Sequence, residues 1–243
     1  RALKALAAGG DALGATGLIA PAAGYTGPTL LLRRGATVGE TLDGTPGVSS
    51  TWFGPNANRP VIRGLDGDRI RILGNGGALL DASGLSYDHA VAADPISIER
   101  IEVLRGPGAL LYGGSAVGGV VNLIDNRIPR EPLQGVTGKV DYGLTRGNRG
   151  TGAGFMLEGG NDRVAVHADA FSRSAGDTRV PATLACTKNG ETSFARRICN
   201  SDSEGRGGAV GGSVFFDQGY LGASVSRYRS DYGTVAEDEV TIG

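Results

Sequence analysis

Residues Ile98 to Asn122 read IERIEVLRGPGALLYGGSAVGGVVN, and this run restricts the fold more than any other part of the chain. Ile101 and Val103 alternate with Glu102 and Leu104 at the period of a strand, and Gly106-Pro107 ends that strand in a fixed turn. Gly113-Gly114 and Gly118-Gly119 bracket a second turn, and the β-branched run Val120, Val121 and Ile124 predicts another strand. With 43 glycines and only 6% aromatic residues, the chain suits many turns and tightly packed strands, not a helical bundle.

Composition removes several functions. A net charge of −1 leaves no electrostatic footprint for nucleic acid. No apolar run approaches the ~20 residues of a membrane helix, so a membrane-spanning form has to be a barrel. No Gly-x-x-x-x-Gly-Lys phosphate loop is present, and the run beginning at Gly106 fails the dinucleotide pattern at its last glycine. Neither histidine follows a nucleophile-elbow sequence, so no enzyme is expected.

Residues 1–35 are rich in Gly, Ala and Pro without periodicity and are expected to be a linker or N-terminal extension. Thr37-Val-Gly-Glu40 has capping-box spacing and predicts a short helix that Gly44 and Pro46 end. Arg59–Gly64 and Asp68–Leu73 read as two strands joined by an Asp-Gly turn, with Ile70 and Ile72 on the buried face. Asp94-Pro95 is a helix start, the aspartate as cap and the proline at the first helical position.

From residue 136 the texture becomes plain alternation. Val136, Val140, Tyr142 and Leu144 oppose Thr137, Lys139 and Asp141; Phe155 and Leu157 oppose Met156 and Glu158; Val164 and Val166 oppose Arg163, His167 and Asp169. These strands have about the 9 to 11 residues of a tilted transmembrane β-strand, although a soluble sandwich also alternates. Tight turns at residues 159–162 and 217–219, set against a long polar loop at 173–207, have the asymmetry of an outer-membrane barrel. Four or five strands are expected, too few to close, and Arg1 and Val240–Gly243 read as interior points of a longer protein.

Four blocks together, Thr45–Val48, Arg59–Leu73, Ile98–Asn122 and Asp125–Pro129, resemble the TonB-dependent outer-membrane receptors. The resemblance implies an α+β plug domain at residues 36–130, followed by antiparallel strands of an incomplete transmembrane β-barrel at 136–243. Such receptors lodge the plug in a barrel of about 22 strands and draw on TonB and the proton motive force. Implied partners are TonB, through a segment upstream of Arg1, outer-membrane lipid, and a metal ion or metal chelate. Arg63 and Arg105 resemble plug arginines that pair with barrel carboxylates.

Within the family, Phe53–Asn56, Leu65–Asp68 and Leu85–Ala90 look most like ZnuD-type zinc receptors. The likeness implies Asp88 and His89 as ligands of Zn²⁺, the transported cargo, since carboxylate and neutral imidazole are ordinary zinc ligands. The bland alternative is a polar loop tip. The chain departs from the zinc pattern in having only His89 and His167 and no histidine-rich loop. His167, on the polar face of a strand, reads as a lumen-wall residue bonded to its neighbours. Cys186 and Cys199, the only cysteines, read as one disulfide of an exported loop, with a metal site as the alternative that lacks C-x₂-C spacing. The expected function is energy-coupled uptake of a scarce ligand, zinc foremost, with a ferric siderophore or haem as alternative cargo and a non-transporting adhesin module as the reading of another class.

Overall fold

Two kinds of strand, short ones with both faces apolar and long ones with alternating faces, sort the chain into two units. The computed structural model describes residues 21–79, 82–84, 86, 89–188, 191–235 and 241–242. One unit comprises Arg1–Trp52 and Ala57–Asp125, the other Phe53–Asn56 and Asn126–Gly243.

The first unit contains β1 (Ala23–Thr26), α1 (Gly27–Arg33), α2 (Val38–Leu42), β2 (Val48–Ser50), β3 (Pro60–Ile62), β4 (Ile70–Gly74), β5 (Gly77–Ala78), β6 (Arg100–Leu104) and β7 (Gly119–Ile124). Its main sheet has the order β1-β6-β7-β4-β5, with β4 and β7 parallel and the other pairs antiparallel. Central strands covered on both faces need apolar residues at consecutive positions. Accordingly Ile101, Val103 and Val121 pack with Leu30, Val38, Leu42 and Ile62 in one cluster, while Leu104 and Val120 join Leu73, Ala109 and Ala116 in a second. After β6, Gly106 takes a positive φ of 82° and Pro107 opens a 3₁₀ segment to Tyr112.

Two sequence expectations need correction here. The stretch 21–35 is not linker: β1 pairs with β6, Leu30 is buried, and Arg33 stacks 4.5 Å from the Tyr25 ring centre while donating to Asp43 O and Thr45 Oγ1. A four-residue edge strand is too short to display a period. Arg59–Leu73 is not a hairpin: β3 pairs with β2, and β4 pairs with β7. The chain reverses earlier, where Arg63 (φ 52°) and Gly64 (φ 77°) both adopt left-handed conformations and Ile62 and Leu65 exchange backbone hydrogen bonds of 2.9 and 3.0 Å. The Asp-Gly pair instead starts a 3₁₀ turn, Gly67–Arg69.

The caps behave as their chemistry requires. Thr37 Oγ1 accepts from Glu40 N at the start of α2, but the Glu40 carboxylate reaches Ala36 N, so only half of a capping box forms. Asp94 caps Ile96 N, yet Pro95–Ser97 makes only a single 3₁₀ turn.

The second unit holds β8 (Gly135–Thr145), β9 (Gly150–Gly160), β10 (Val164–Ala175), β11 (Arg179–Lys188), β12 (Glu191–Arg197), β13 (Ser203–Phe216), β14 (Gly219–Gly233) and the short β15 (Thr241–Ile242). Six of them form an antiparallel sheet, β15-β14-β13-β10-β9-β8. The expected loop at 173–207 is largely a β-hairpin, β11 with β12, set between an extended β10 and β13. Its polarity disguised it in the sequence, because residues of both strands are mostly exposed and no burial period arises.

Polarity in the long sheet is reversed relative to a water-soluble core. Val140, Tyr142, Leu144, Val166, Val210, Leu221 and Val225 are exposed, whereas Glu158, His167, Asp169 and Ser213 are buried. Among the described residues no helix is long and apolar enough to cross a membrane.

Candidate functional site

The residues expected to hold metal lie between β5 and β6. Asp88 falls outside the described residues. His89 is half-buried, and its backbone N–H donates to Ser86 O at 3.4 Å. Among the described residues no group of three or more His, Cys, Asp or Glu is arranged to hold a metal ion.

The two arginines belong to turns of the first unit. Arg63 is exposed, and its N–H donates to Gly47 O at 2.9 Å. Arg105 Nη1 donates to Pro46 O at 2.6 Å, and a side chain at Gly47 would press against that guanidinium. Between β6 and β7, Glu102 is buried, with Asn122 Nδ2 donating to its Oε2 at 3.2 Å and its Oε1 lacking a hydrogen bond. Burial pushes the Glu102 carboxyl above the usual carboxylate range, outweighing Asn122 and the Arg100 guanidinium that draw it down. Cys186 in β11 and Cys199 just after β12 are bridged, with Cα atoms 5.7 Å apart, a separation that suits a disulfide.

The most organised polar group lies in the second unit, where the tight turn after β9 sets His167 directly opposite Glu158. His167 Nδ1 donates to Glu158 Oε1 at 2.8 Å, and Nε2 donates to Asp169 Oδ2 at 3.0 Å. Carboxylates only accept, so the ring satisfies both as an imidazolium. Arg127 forks onto Asp169 through Nε at 3.2 Å and Nη2 at 3.4 Å, and Asn126 Nδ2 donates to Glu158 Oε1 at 2.8 Å. Two carboxylates thus meet two cations, and the His167 and Asp169 side chains are 0% exposed.

Sequence reading placed His167 on the polar face but missed its partners. The signal was available: residues 167 and 169 share a face at period 2, and the turn at 159–162 fixes the register that brings Glu158 alongside.

Residues 22–120 match the family model described as TonB-dependent Receptor Plug Domain. Over 115 residues the chain is 36% identical to the ferrichrome outer membrane transporter/phage receptor of Escherichia coli (strain K12), covering 46% of this chain and 15% of that protein. Over 119 residues it is 37% identical to the ferrioxamine receptor of Yersinia enterocolitica, covering 48% of this chain and 16% of that protein. The structure of the copper transporter OprC superposes with a TM-score of 0.64 at 19% identity, covering 82% of this chain and 28% of that one. At that identity the likeness speaks for the fold alone. The matches thus span about a sixth of the length of these curated relatives.

Proposed function

We propose, from the premise that this chain belongs to the TonB-dependent outer-membrane receptors, that the complete protein imports a metal chelate across the bacterial outer membrane. The observation that carries this reading is the combination of a plug domain with a sheet whose outward face is apolar and whose inward face is charged. Water does not favour such a sheet, but a bilayer around a polar lumen does. Energy would come through TonB, and the protein would act by binding and passage, without chemistry on its cargo.

For the cargo, a ferric siderophore or haem replaces the zinc ion expected from Leu85–Ala90. Two of the curated relatives are a transporter of ferrichrome and a receptor for ferrioxamine. A chelate carries its metal fully ligated, so it needs a polar, shaped surface and no closed set of protein ligands. His89 can then contact the organic part.

Uptake by cells whose own chelate receptors are deleted tests the reading. Cells expressing the complete receptor should accumulate radiolabelled iron from ferrichrome, ferrioxamine or haem, and an uncoupler should abolish this. Zinc accumulation with no gain for any ferric chelate would return the cargo to the ion. Binding that ignores the uncoupler, with nothing entering, would point to the adhesin class.

A further inference from the structure

Residues 126–134, which join β7 to β8, lie on the inner face of the strand sheet and are held there in three ways. First, Asn126 and Arg127 are bonded into the buried cluster of Glu158, His167 and Asp169. Second, the floor beneath the segment is glycine. A Cβ at Gly211 of β13 would collide with the carbonyl oxygen of Arg127, and one at Gly222 of β14 would stand 2.5 Å from the Ile128 Cγ2 methyl. Third, Arg130 and Pro132 line a cavity of about 400 Å³ with Asp162, Arg163, Phe215 and Tyr220, and the Gln134 side chain donates to Asp162.

We propose that residues 126–134 are a fixed anchor that stays on the sheet while the plug rearranges, with His167 as the positioning residue that holds it; this rests on the uptake reading above. The argument is one of unequal cost. Lifting the segment strips Asp169, whose side chain is 0% exposed, of the Arg127 fork and leaves His167 with two acidic neighbours and one cation fewer. It also opens a gap over two glycines that have no side chain to fill it. The moving boundary during import therefore falls before Asn126.

A segment that does not move can be locked without consequence. In the complete receptor, Ile128→Cys with Gly222→Cys places two thiols within disulfide reach, because the Ile128 methyl already sits over Gly222. With the new bond verified by peptide mapping, the oxidised double variant should import a ferric chelate at the rate of the same variant kept reduced, the reference that cancels the crowding of a Cβ at Gly222 against Ser213. Loss of uptake on oxidation, restored by a reductant, would overturn the proposal.

Should the parent import no chelate, the uptake reading fails, and proteolysis still decides on the anchor. In detergent-solubilised complete receptor, trypsin should cut after Arg130 at least about tenfold faster in Arg127→Gln and in His167→Ala than in the parent. Arg127→Lys, which keeps the charge, should recover most of the protection. Cleavage after Arg197, in the separate hairpin, should not change and serves as the internal standard. Equal cleavage after Arg130 in all variants would show that the cluster does not hold the segment.

Discussion

In the first unit β6 and β7 bury Ile101, Val103, Val120 and Val121, whereas in the second β8, β10 and β13 turn Val140, Val166 and Val210 outward and tuck His167, Asp169 and Ser213 inward. The residue types are alike and both regions are β-sheet, so neither composition nor propensity separates them. What differs is which side the apolar atoms face. A valine row left open to water gains nothing from folding, while the same row facing hydrocarbon satisfies the sheet's surroundings and leaves its polar face to a lumen. The contrast therefore identifies two solvents acting on one chain.

The largest effect should come from the water-shielded core. Ile101→Ala in β6 removes a residue that is 0% exposed and should destabilise the first unit by about 2–5 kcal/mol. Val140→Ala, on the outward face of β8, leaves no protein cavity and should cost far less. Hydrogen-exchange protection of β6 and β7 in the complete receptor measures the first, and folding titrations in bilayers measure the second. Equal losses would mean that the outward face is packed against protein.

A second pair isolates the solvent itself. Leu32 in α1 and Val140 in β8 are each 87% exposed, so a burial count treats them alike. Val140→Arg should cost about 2–4 kcal/mol in a bilayer because a guanidinium meets hydrocarbon. Leu32→Arg, facing water, should stay within about 0.5 kcal/mol. If both substitutions proved equally mild, the outward face of the sheet would be wet and the barrel assignment would fall.

Much of this contrast was legible before any coordinates. The alternation from residue 136 gave the strand faces correctly, since period 2 is a property of the backbone and survives any choice of solvent. Elements whose signal depends on partners were not legible. β1 is recognisable only through β6, and β3 took β2 over β4 because Arg63 and Gly64 turn the chain before the more conspicuous Asp-Gly pair. The β11–β12 hairpin hid because neither of its faces is buried consistently. For the site, His167 was visible as one polar residue, but the cluster is a product of register, and Arg127 enters it from outside any strand. Asp88 lies outside the described residues, so its pairing with His89 is a matter of sequence likeness alone.

The hairpin extends the comparison to a region with no core at all. Two strands exposed on both faces are marginal in water, and the Cys186–Cys199 bridge supplies a restraint in place of burial. Replacing both cysteines by serine should cost up to about 3 kcal/mol, confined to the hairpin, in the chain-entropy view of disulfides. Faster hydrogen exchange in residues 179–197 with unchanged β9, β10 and β13 would match this. Spread of the loss into the six-stranded sheet would show that the hairpin supports it.

The smallest effect concerns how each unit treats a buried carboxyl. Glu158 and Asp169 are matched by His167 and Arg127, while Glu102 has Asn122 on one oxygen and only a partly exposed Arg100, 3.4 Å away, near the other. Desolvation therefore prevails and Glu102 holds its proton more tightly in the folded chain than in the unfolded one. Between the ordinary carboxylate range and that raised value, the folded state carries more protons than the unfolded state, so stability falls as pH rises through the window and is level above it. The sign is opposite to that of a salt-bridged carboxylate, which is stabilised as pH rises. Glu102→Gln keeps a neutral group of similar shape that can still accept from Asn122, and it should flatten this part of the pH dependence. Hydrogen exchange of β6 and β7, corrected for intrinsic rates and followed across the carboxylate range, reads the slope directly. An identical slope in the variant would assign the dependence to another carboxyl and leave Glu102 as a tolerated buried charge.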